Sequence, residues 1–281
     1  MERATLASKA ARALVLAILF TGCVAFIVPF YVTVAMSLKS QSELATTSMW
    51  SWPHEVTFEN YRIVLTNPIV SFSMFLKNTV IITVINTIGT LFGCTVVAYA
   101  FARMNFAGRD RLFLVLLATM MLPGLVTMIP SYVLYAKVHW VNTFLPPTVP
   151  AFFGGSAFNI FLMRQFYRGI PRELDEAAVL DGASHWTIFR RIILPSSGPA
   201  LATVGIFTFM GSWRDFLGPL LYLDDADKQT LELGLRTYSS LNGAKWHLLM
   251  AGTVLVSIPI IILFFAGQRY FVKGIVMTGL K

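Results

Sequence analysis

Uncharged apolar windows of about 20 residues, the length needed to cross a hydrocarbon core, recur six times along this chain. They cover residues 13–36, 78–102, 112–136, 144–163, 199–222 and 248–268, and only the fifth is interrupted, by Arg214 and Asp215. The pattern predicts an all-α integral membrane protein with six transmembrane helices. No fixed-period repeat divides the chain, so residues 1–281 are expected to form a single transmembrane domain. Arg3, Lys9 and Arg12 precede the first window, as in a signal peptide. Its apolar run is too long for one, and residues 29–36 offer no small-x-small cleavage site, so a retained anchor is expected. Thr57 is expected to cap a short helix over residues 58–65, ended by Asn67-Pro68, in a long connection after the first window.

Composition sharpens this picture. The chain is 56% hydrophobic and 13% charged, about half the charge of an ordinary soluble domain. A soluble enzyme, a disordered chain and a disulfide scaffold are excluded on that ground. The net charge of +8 would suggest nucleic acid if it were clustered, but it follows the membrane boundaries instead. With the N-terminus in the cytoplasm, 14 Lys and Arg residues fall inside and 7 outside, with Arg214 within the fifth window. This bias predicts that both termini are cytoplasmic and assigns no nucleic-acid partner. Cys23 and Cys94 lie within apolar windows and read as small hydrophobes.

The connection over residues 164–197 is long and patterned. Pro171 suits a first helical position, and Glu173, Asp175 and Glu176 complement the positive end of a helix dipole. Leu174, Ala177 and Ala178 share one face of that helix, where the alanines leave room for another protein to approach. Gly182 can take the left-handed conformation that ends it. Ser184 can then cap a second helix with Trp186, Phe189 and Ile193 on one side and Pro195 disrupting its end. A helix–turn–helix elbow beneath the membrane results. An amphipathic loop lying on the membrane would account for Trp186 and Phe189, but anionic headgroups would repel the acidic first helix.

Glu176-Ala177-Ala178, three residues, Gly182, nine residues, then Ile192-x-Leu194-Pro195 resembles the "EAA" loop of permease subunits of bacterial ABC importers. Ser37-Leu38-Lys39, Trp52-Pro53, Phe58-x-Asn60-Tyr61, Asn78-Thr79, Ala98-Tyr99-Ala100 with Arg103, and Ile170-Pro171 resemble the carbohydrate-uptake branch of that family. Within it the chain is similar to the smaller, six-span maltose-type partner. The resemblance implies a type I ABC importer permease fold and a coupling helix seated on an ATPase subunit. It carries the coupling role to Glu173, Asp175, Glu176, Ala177, Ala178, Asp181, Gly182, Ala183, Ile192, Leu194 and Pro195. It further implies a second permease subunit in a heterodimer, two ATPase subunits, an extracytoplasmic solute-binding protein and a sugar substrate in a lipid membrane. The chain has no Gly-x-x-x-x-Gly-Lys-Ser/Thr phosphate loop, so ATP and Mg are expected in the partner ATPases and no cofactor in this chain. The stretch over residues 274–281 resembles the family's short tail toward the ATPases, although Leu280 stands where a small residue is common.

A charge inside a membrane segment costs roughly 2.5–3.5 kcal/mol on insertion scales and normally faces protein or water. Trp213, Arg214 and Asp215 are therefore candidates for the substrate path, where Arg214 would bind sugar hydroxyls or an acidic sugar. An interhelical or interfacial contact is the alternative for Arg214. Asn86, Asn159 and Gln268 read as interhelical hydrogen-bonding groups, and Pro123, Pro130 and Pro259 as kinks or breaks. The four histidines show no i, i+4 ligand spacing, so no metal or catalytic residue is assigned. An ion-coupled secondary carrier remains the alternative function. An intramembrane protease would need a Ser–His or Asp–Asp pair that the apolar windows lack.

Overall fold

The computed structural model describes residues 2–68, 71–239 and 243–278, and among them it contains helices and no strand. The chain divides into two compact units, one of residues 1–72 and 235–258, the other of residues 73–234 and 259–281.

In the first unit, α1 (Glu2–Ser37) carries an apolar stretch over Ala11–Ser37 that is unburied within the chain except near its end, where Ala35 and Ser37 are buried. A helix that is apolar all round and unburied is solvated by lipid or by another subunit. Just past its end the character reverses. Lys39 is fully buried, and its ammonium donates to Ser48 O at 2.8 Å, Ser51 Oγ at 2.8 Å and Thr47 Oγ1 at 3.2 Å. Asn60, buried on α3 (Glu59–Thr66), donates from Nδ2 to Ser37 O at 2.7 Å and Lys39 O at 2.8 Å. The connection is thus a small folded cap wound around one charge whose three donors are all satisfied. Its helix begins one residue later than expected, and Thr57 Oγ1 accepts the Glu59 N–H at 3.2 Å. A second short helix, α2 (Gln41–Thr46), is capped by Ser40, whose Oγ accepts the Glu43 N–H.

The second unit is organised on α4 (Phe72–Arg103), 32 residues long. The third window is not one helix. It is divided into α5 (Arg109–Thr119) and α6 (Gly124–Lys137), bent by 99° at a break that ends on Pro123. The fourth window also fails to form a continuous helix. Pro146, Pro147 and Pro150 cannot donate to a helical ladder, and Gly154 and Gly155 take φ of +111° and +62°. The segment becomes α7 (Leu145–Thr148), a 3-10 turn (Val149–Phe153) and α8 (Ala157–Gly169). Three helices are long and apolar enough to cross a membrane singly, and two bent pairs raise the number to five among the described residues.

This broken segment lies directly on α4. A Cβ at Gly93 would sit 2.6 Å from Gly154 N and 2.8 Å from Phe152 O. Asn86 secures the same contact by donating from Nδ2 to Pro147 O at 2.9 Å. After α9 (Glu173–Leu180) and α10 (His185–Ile188) comes a π-turn over Phe189–Ile193, then α11 (Leu194–Ser196) and, beyond a 78° bend, α12 (Gly198–Trp213). Pro195 stands one residue before the end of the second elbow helix. The ladder widens just before it, with Leu194 N–H donating to Phe189 O, and the helix runs on to Ser196. The fifth window continues after a break as α13 (Leu217–Tyr222), and the last as α15 (Trp246–Thr278) with Pro259 inside it. Gly279 to Lys281, the end of the expected tail, lie outside the described residues.

The atoms nearest a Gly93 Cβ are all backbone and cannot rotate away, whereas a Cβ at Gly205 would meet only Leu91 methyls at 3.7 Å or more. Gly93→Ala is expected to destabilise the protein by about 1–3 kcal/mol, and Gly205→Ala to be neutral or better. Thermal unfolding of the two purified variants in a membrane mimetic checks the contrast.

Candidate functional site

Two places bring the chemically distinctive residues together, and both lie within the second unit. The first is the elbow over residues 164–197. Pro171 precedes rather than opens its first helix, which starts at Glu173, so Glu173, Asp175 and Glu176 all occupy the first turn. The helix ends in a paired stop, with Gly182 N–H donating to Val179 O at 3.0 Å and Ala183 N–H to Ala178 O at 2.9 Å. Gly182 has φ of +76°, and no atom lies within 4 Å of where its Cβ would be. Conformation, not crowding, demands glycine there. Ser184 caps the second helix, its Oγ accepting the Thr187 N–H at 3.3 Å.

The two alanines have different surroundings. Ala178 is buried in the protein's own core with Tyr167, Ile188 and Phe189, whereas Ala177, Leu174, Glu173, Glu176 and Asp181 are exposed. The expected common face of Leu174, Ala177 and Ala178 is therefore split. Ala178 lets α9 approach its own scaffold, and Leu180, 89% exposed, is the most open apolar side chain of the helix. Of the second helix, Ile188, Phe189 and Ile193 are buried, Ile192, Leu194 and Ala183 are half-buried, and Trp186 and Pro195 stay exposed. Phe189 packs at 5.2 Å from the Tyr99 ring of α4.

One residue outside the loop holds the elbow in place. Arg103, the last residue of α4, has its side chain 98% buried and donates from one terminal nitrogen to Tyr167 O at 2.7 Å and Ile170 O at 2.6 Å. Its other terminal nitrogen pairs with Asp175 Oδ2 at 3.4 Å. The guanidinium thus takes up carbonyls at the end of α8, Tyr167 O being shared with the Ile170 N–H at 3.2 Å, while meeting a first-turn carboxylate of α9. Asp175 faces Arg103 and is mostly buried, so within the acidic turn it differs from Glu173 and Glu176, which point outward.

The second place is a cavity of about 540 Å³ at the broken segments. Its polar lining is Asn86, Thr90, Ser156, Asn159, Thr208 and Asp215, and its aromatic lining includes Tyr135 and Tyr222, whose rings meet edge to face at 5.3 Å. Asp215 belongs to this cavity, its Oδ1 accepting the Gly218 N–H at 3.1 Å at the start of α13. Arg214 does not line it. That side chain is exposed, and its charge offsets part of the upward push that burial exerts on the Glu232 carboxyl. Trp213 is buried against Phe209, with ring centroids 5.4 Å apart. Arg214 thus stands outside the cavity, and of the three-residue cluster Asp215 lines it.

Asn86 and Asn159 are interhelical hydrogen-bonding groups as expected, Asn159 donating to Thr208 Oγ1 at 3.3 Å, and they also line the cavity. Tyr135 and Tyr222 carried no signal in sequence, since each is one aromatic in an apolar run. At one end of the cavity segments Asn142, with φ of +61°, donates from Nδ2 to Asp225 Oδ2 at 2.6 Å and accepts the Asp224 and Asp225 N–H groups. Hydrogen bonds from Lys228 and then Asn142 hold the Asp225 carboxyl below the usual carboxylate range.

Arg103→Gln would take the charged partner from Asp175 and the donor from Ile170 O, while Tyr167 O keeps the Ile170 N–H at 3.2 Å. It is expected to cost about 3 kcal/mol, at the low end for a broken buried pair because Asp175 keeps some solvent contact. Asp175→Asn, which retains an acceptor, is expected to cost less than half of that. Thermal unfolding of both variants, with protease sensitivity of the elbow as a local readout, tests the ranking.

A family model described as "Binding-protein-dependent transport system inner membrane component" matches residues 85–277. The arabinooligosaccharides transport system permease protein AraQ of Halalkalibacterium halodurans is 36% identical over 82% of this chain and 81% of its own length. The AraQ protein of Bacillus subtilis is 31% identical over 91% of each. Among solved structures, a chain of a bacterial ABC transporter involved in the import of the acidic polysaccharide alginate superposes with a TM-score of 0.83. It is 25% identical, over 94% of this chain and 98% of that one.

Proposed function

This chain belongs to the family of binding-protein-dependent transport system inner membrane components, and from that premise we propose that it is a permease subunit of an ABC importer for a sugar or oligosaccharide. The observation that carries the mechanism is the elbow: an acidic, exposed helix with a left-handed stop, fixed at its base to the membrane helices by Arg103. Two ATPase subunits bind ATP and Mg, and ATP drives their closure. Their motion is received by α9 through Glu173, Glu176, Ala177 and Asp181, and passed through Gly182 and Ala183 to the second elbow helix. Ile192, Leu194 and Pro195 carry it on toward α12. Asp175 and Ala178 serve the same movement from the inside, by keeping α9 on its scaffold. The chain supplies no cofactor and no catalytic residue to this cycle.

In this reading the chain crosses the cell membrane six times with both termini in the cytoplasm, as one transmembrane domain. The unburied apolar stretch of α1 meets lipid and a second permease subunit. A solute-binding protein delivers the sugar from outside, where the cap around Lys39 and the Asn142–Asp225 latch lie. The cavity lining favours a neutral solute. It offers amides, hydroxyls and tyrosine rings, which suit a hydroxylated ring with an apolar face, and its charged lining residue is the acid Asp215. An anionic sugar would meet that carboxylate without a lining cation to offset it.

In proteoliposomes holding the assembled transporter, uptake of a neutral oligosaccharide is expected to require ATP and the binding protein and to be blocked by vanadate. Gly182→Val forces a β-branched residue into a conformation that costs an L-residue roughly 1–2 kcal/mol. The variant should reach the membrane and lose at least about 90% of uptake, while Gly182→Asn, better suited to positive φ, retains more. Uptake that follows an ion gradient without ATP, or normal uptake by the valine variant, would contradict the reading.

A further inference from the structure

The elbow end of the second unit carries a concentration of arginine that the coupling mechanism does not use. A cavity of about 380 Å³ is lined by Arg109, Arg164, Arg168 and Arg172, with Asp110 as the carboxylate among its lining residues. Arg109 already pairs with Asp110 at 3.0 Å, which holds that carboxyl below the usual range and uses much of its capacity. Among the described residues no ion pair accompanies Arg164, Arg168 or Arg172. Four arginines thus share one carboxylate in the lining, and the concave space keeps an excess of three positive charges.

Arg164 is the fixed point. The residue is 8% exposed, its guanidinium lies 3.8 Å from the centre of the Phe113 ring, and its Nε donates to Phe101 O at 3.3 Å. Ring and carbonyl hold the group in one orientation, so that an anion would find it preorganised. Such a cluster repels itself until an anion arrives. Above the arginines the surface changes character within one helical turn. Leu114 lines the cavity, and Leu112, Leu114 and Val115 are each more than half exposed along α5. A cationic pocket opening onto an unburied apolar helix face matches an amphiphile rather than a free ion.

We propose that this cavity binds the phosphate of an anionic phospholipid, held by Arg164, Arg168 and Arg172, with its acyl chains along the exposed face of α5. The inference rests on the proposed cytoplasmic placement of the elbow end, where anionic lipid is concentrated and basic pockets between helices take up headgroups. A bound lipid would neutralise the base of α8, from which the elbow departs, and so would tie the stability of the coupling region to membrane composition.

The assembled transporter, purified from its host membrane, tests this by native mass spectrometry and by titration with phosphatidylglycerol, phosphatidylcholine or inorganic phosphate. Phosphatidylglycerol is expected to be retained and to raise the thermal midpoint, and phosphatidylcholine to do neither. Arg168 and Arg172 are exposed, so Arg168→Gln with Arg172→Gln should leave the fold intact. Binding should weaken about 30-fold, from two lost charges near a membrane surface. Arg190→Gln with Arg191→Gln removes the same charge from exposed elbow positions outside the cavity and should leave binding unchanged. Equal effects of the two double variants would reduce the finding to net charge and overturn the site. Stabilisation by inorganic phosphate alone would assign the cavity to a free anion. Absence of lipid from the assembled complex, as when a neighbouring subunit's acid fills the cavity, would also overturn the proposal. Sugar uptake, measured separately in the same vesicles, shows whether the transport reading itself stands.

Discussion

The contact of Arg103 with α8 and α9 is the constraint on which the placement of the elbow depends. A force applied to a short exposed helix moves a membrane domain only if the helix cannot pivot independently. Hydrophobic packing alone would leave α9 weakly attached, since of its residues only Ala178 is buried. The guanidinium changes that by bonding to the last carbonyls of α8 and to Asp175 from a position where its side chain is almost wholly buried. Its alignment at the C-terminal end of α4 is also favourable to the dipole of that helix. Three helices are joined at one planar, five-donor group, a geometry that lysine could not reproduce. The joint is not perfectly satisfied, because Arg103 Nε and Asp175 Oδ1 are buried with no hydrogen-bond partner.

The same logic recurs elsewhere on the chain. Lys39 and Asn60 organise the cap after α1, and Asn142 binds the 222–225 segment through its side chain and its own N–H. Asn60 and Asn142 each satisfy two backbone groups with one side chain where a helix has ended. Apolar packing cannot satisfy such junctions, because the backbone groups left at a helix end need hydrogen-bond partners. Close approach without side chains is the other device, seen where Gly93 receives the broken segment at Gly154.

What was legible in the sequence follows the range of the interactions. The Ser184 cap, the Gly182 stop and the acidic first turn are local, so residue type and spacing were enough to place them. Ala178 was assigned to the wrong neighbour because helical periodicity says which residues share a face and not what covers it. Arg103 appeared only as the end of a motif, since its carbonyl partner Tyr167 is 64 residues away. The broken fourth segment was readable in principle from its prolines and glycine pair, but a hydropathy window averages them away. Arg214 drew attention as the unusual charge, yet Asp215 lines the cavity, because the helix breaks there and turns adjacent side chains to different surroundings. The shape of the cavity depends on tyrosines from separate helices and had no local signature.

The central claim is that α9 and the ends of α4 and α8 form one rigid joint that moves together when the ATPases close. It is tested most directly by pulsed electron resonance on the assembled transporter, with native Cys23 and Cys94 replaced. Spin labels would stand at Leu180 on α9 and Ala107 just beyond α4, both exposed. The account predicts one narrow distance distribution that is unchanged between the nucleotide-free and ATP-bound complexes. A distribution that shifts or broadens on ATP binding would show α9 pivoting independently of α4, and would contradict it.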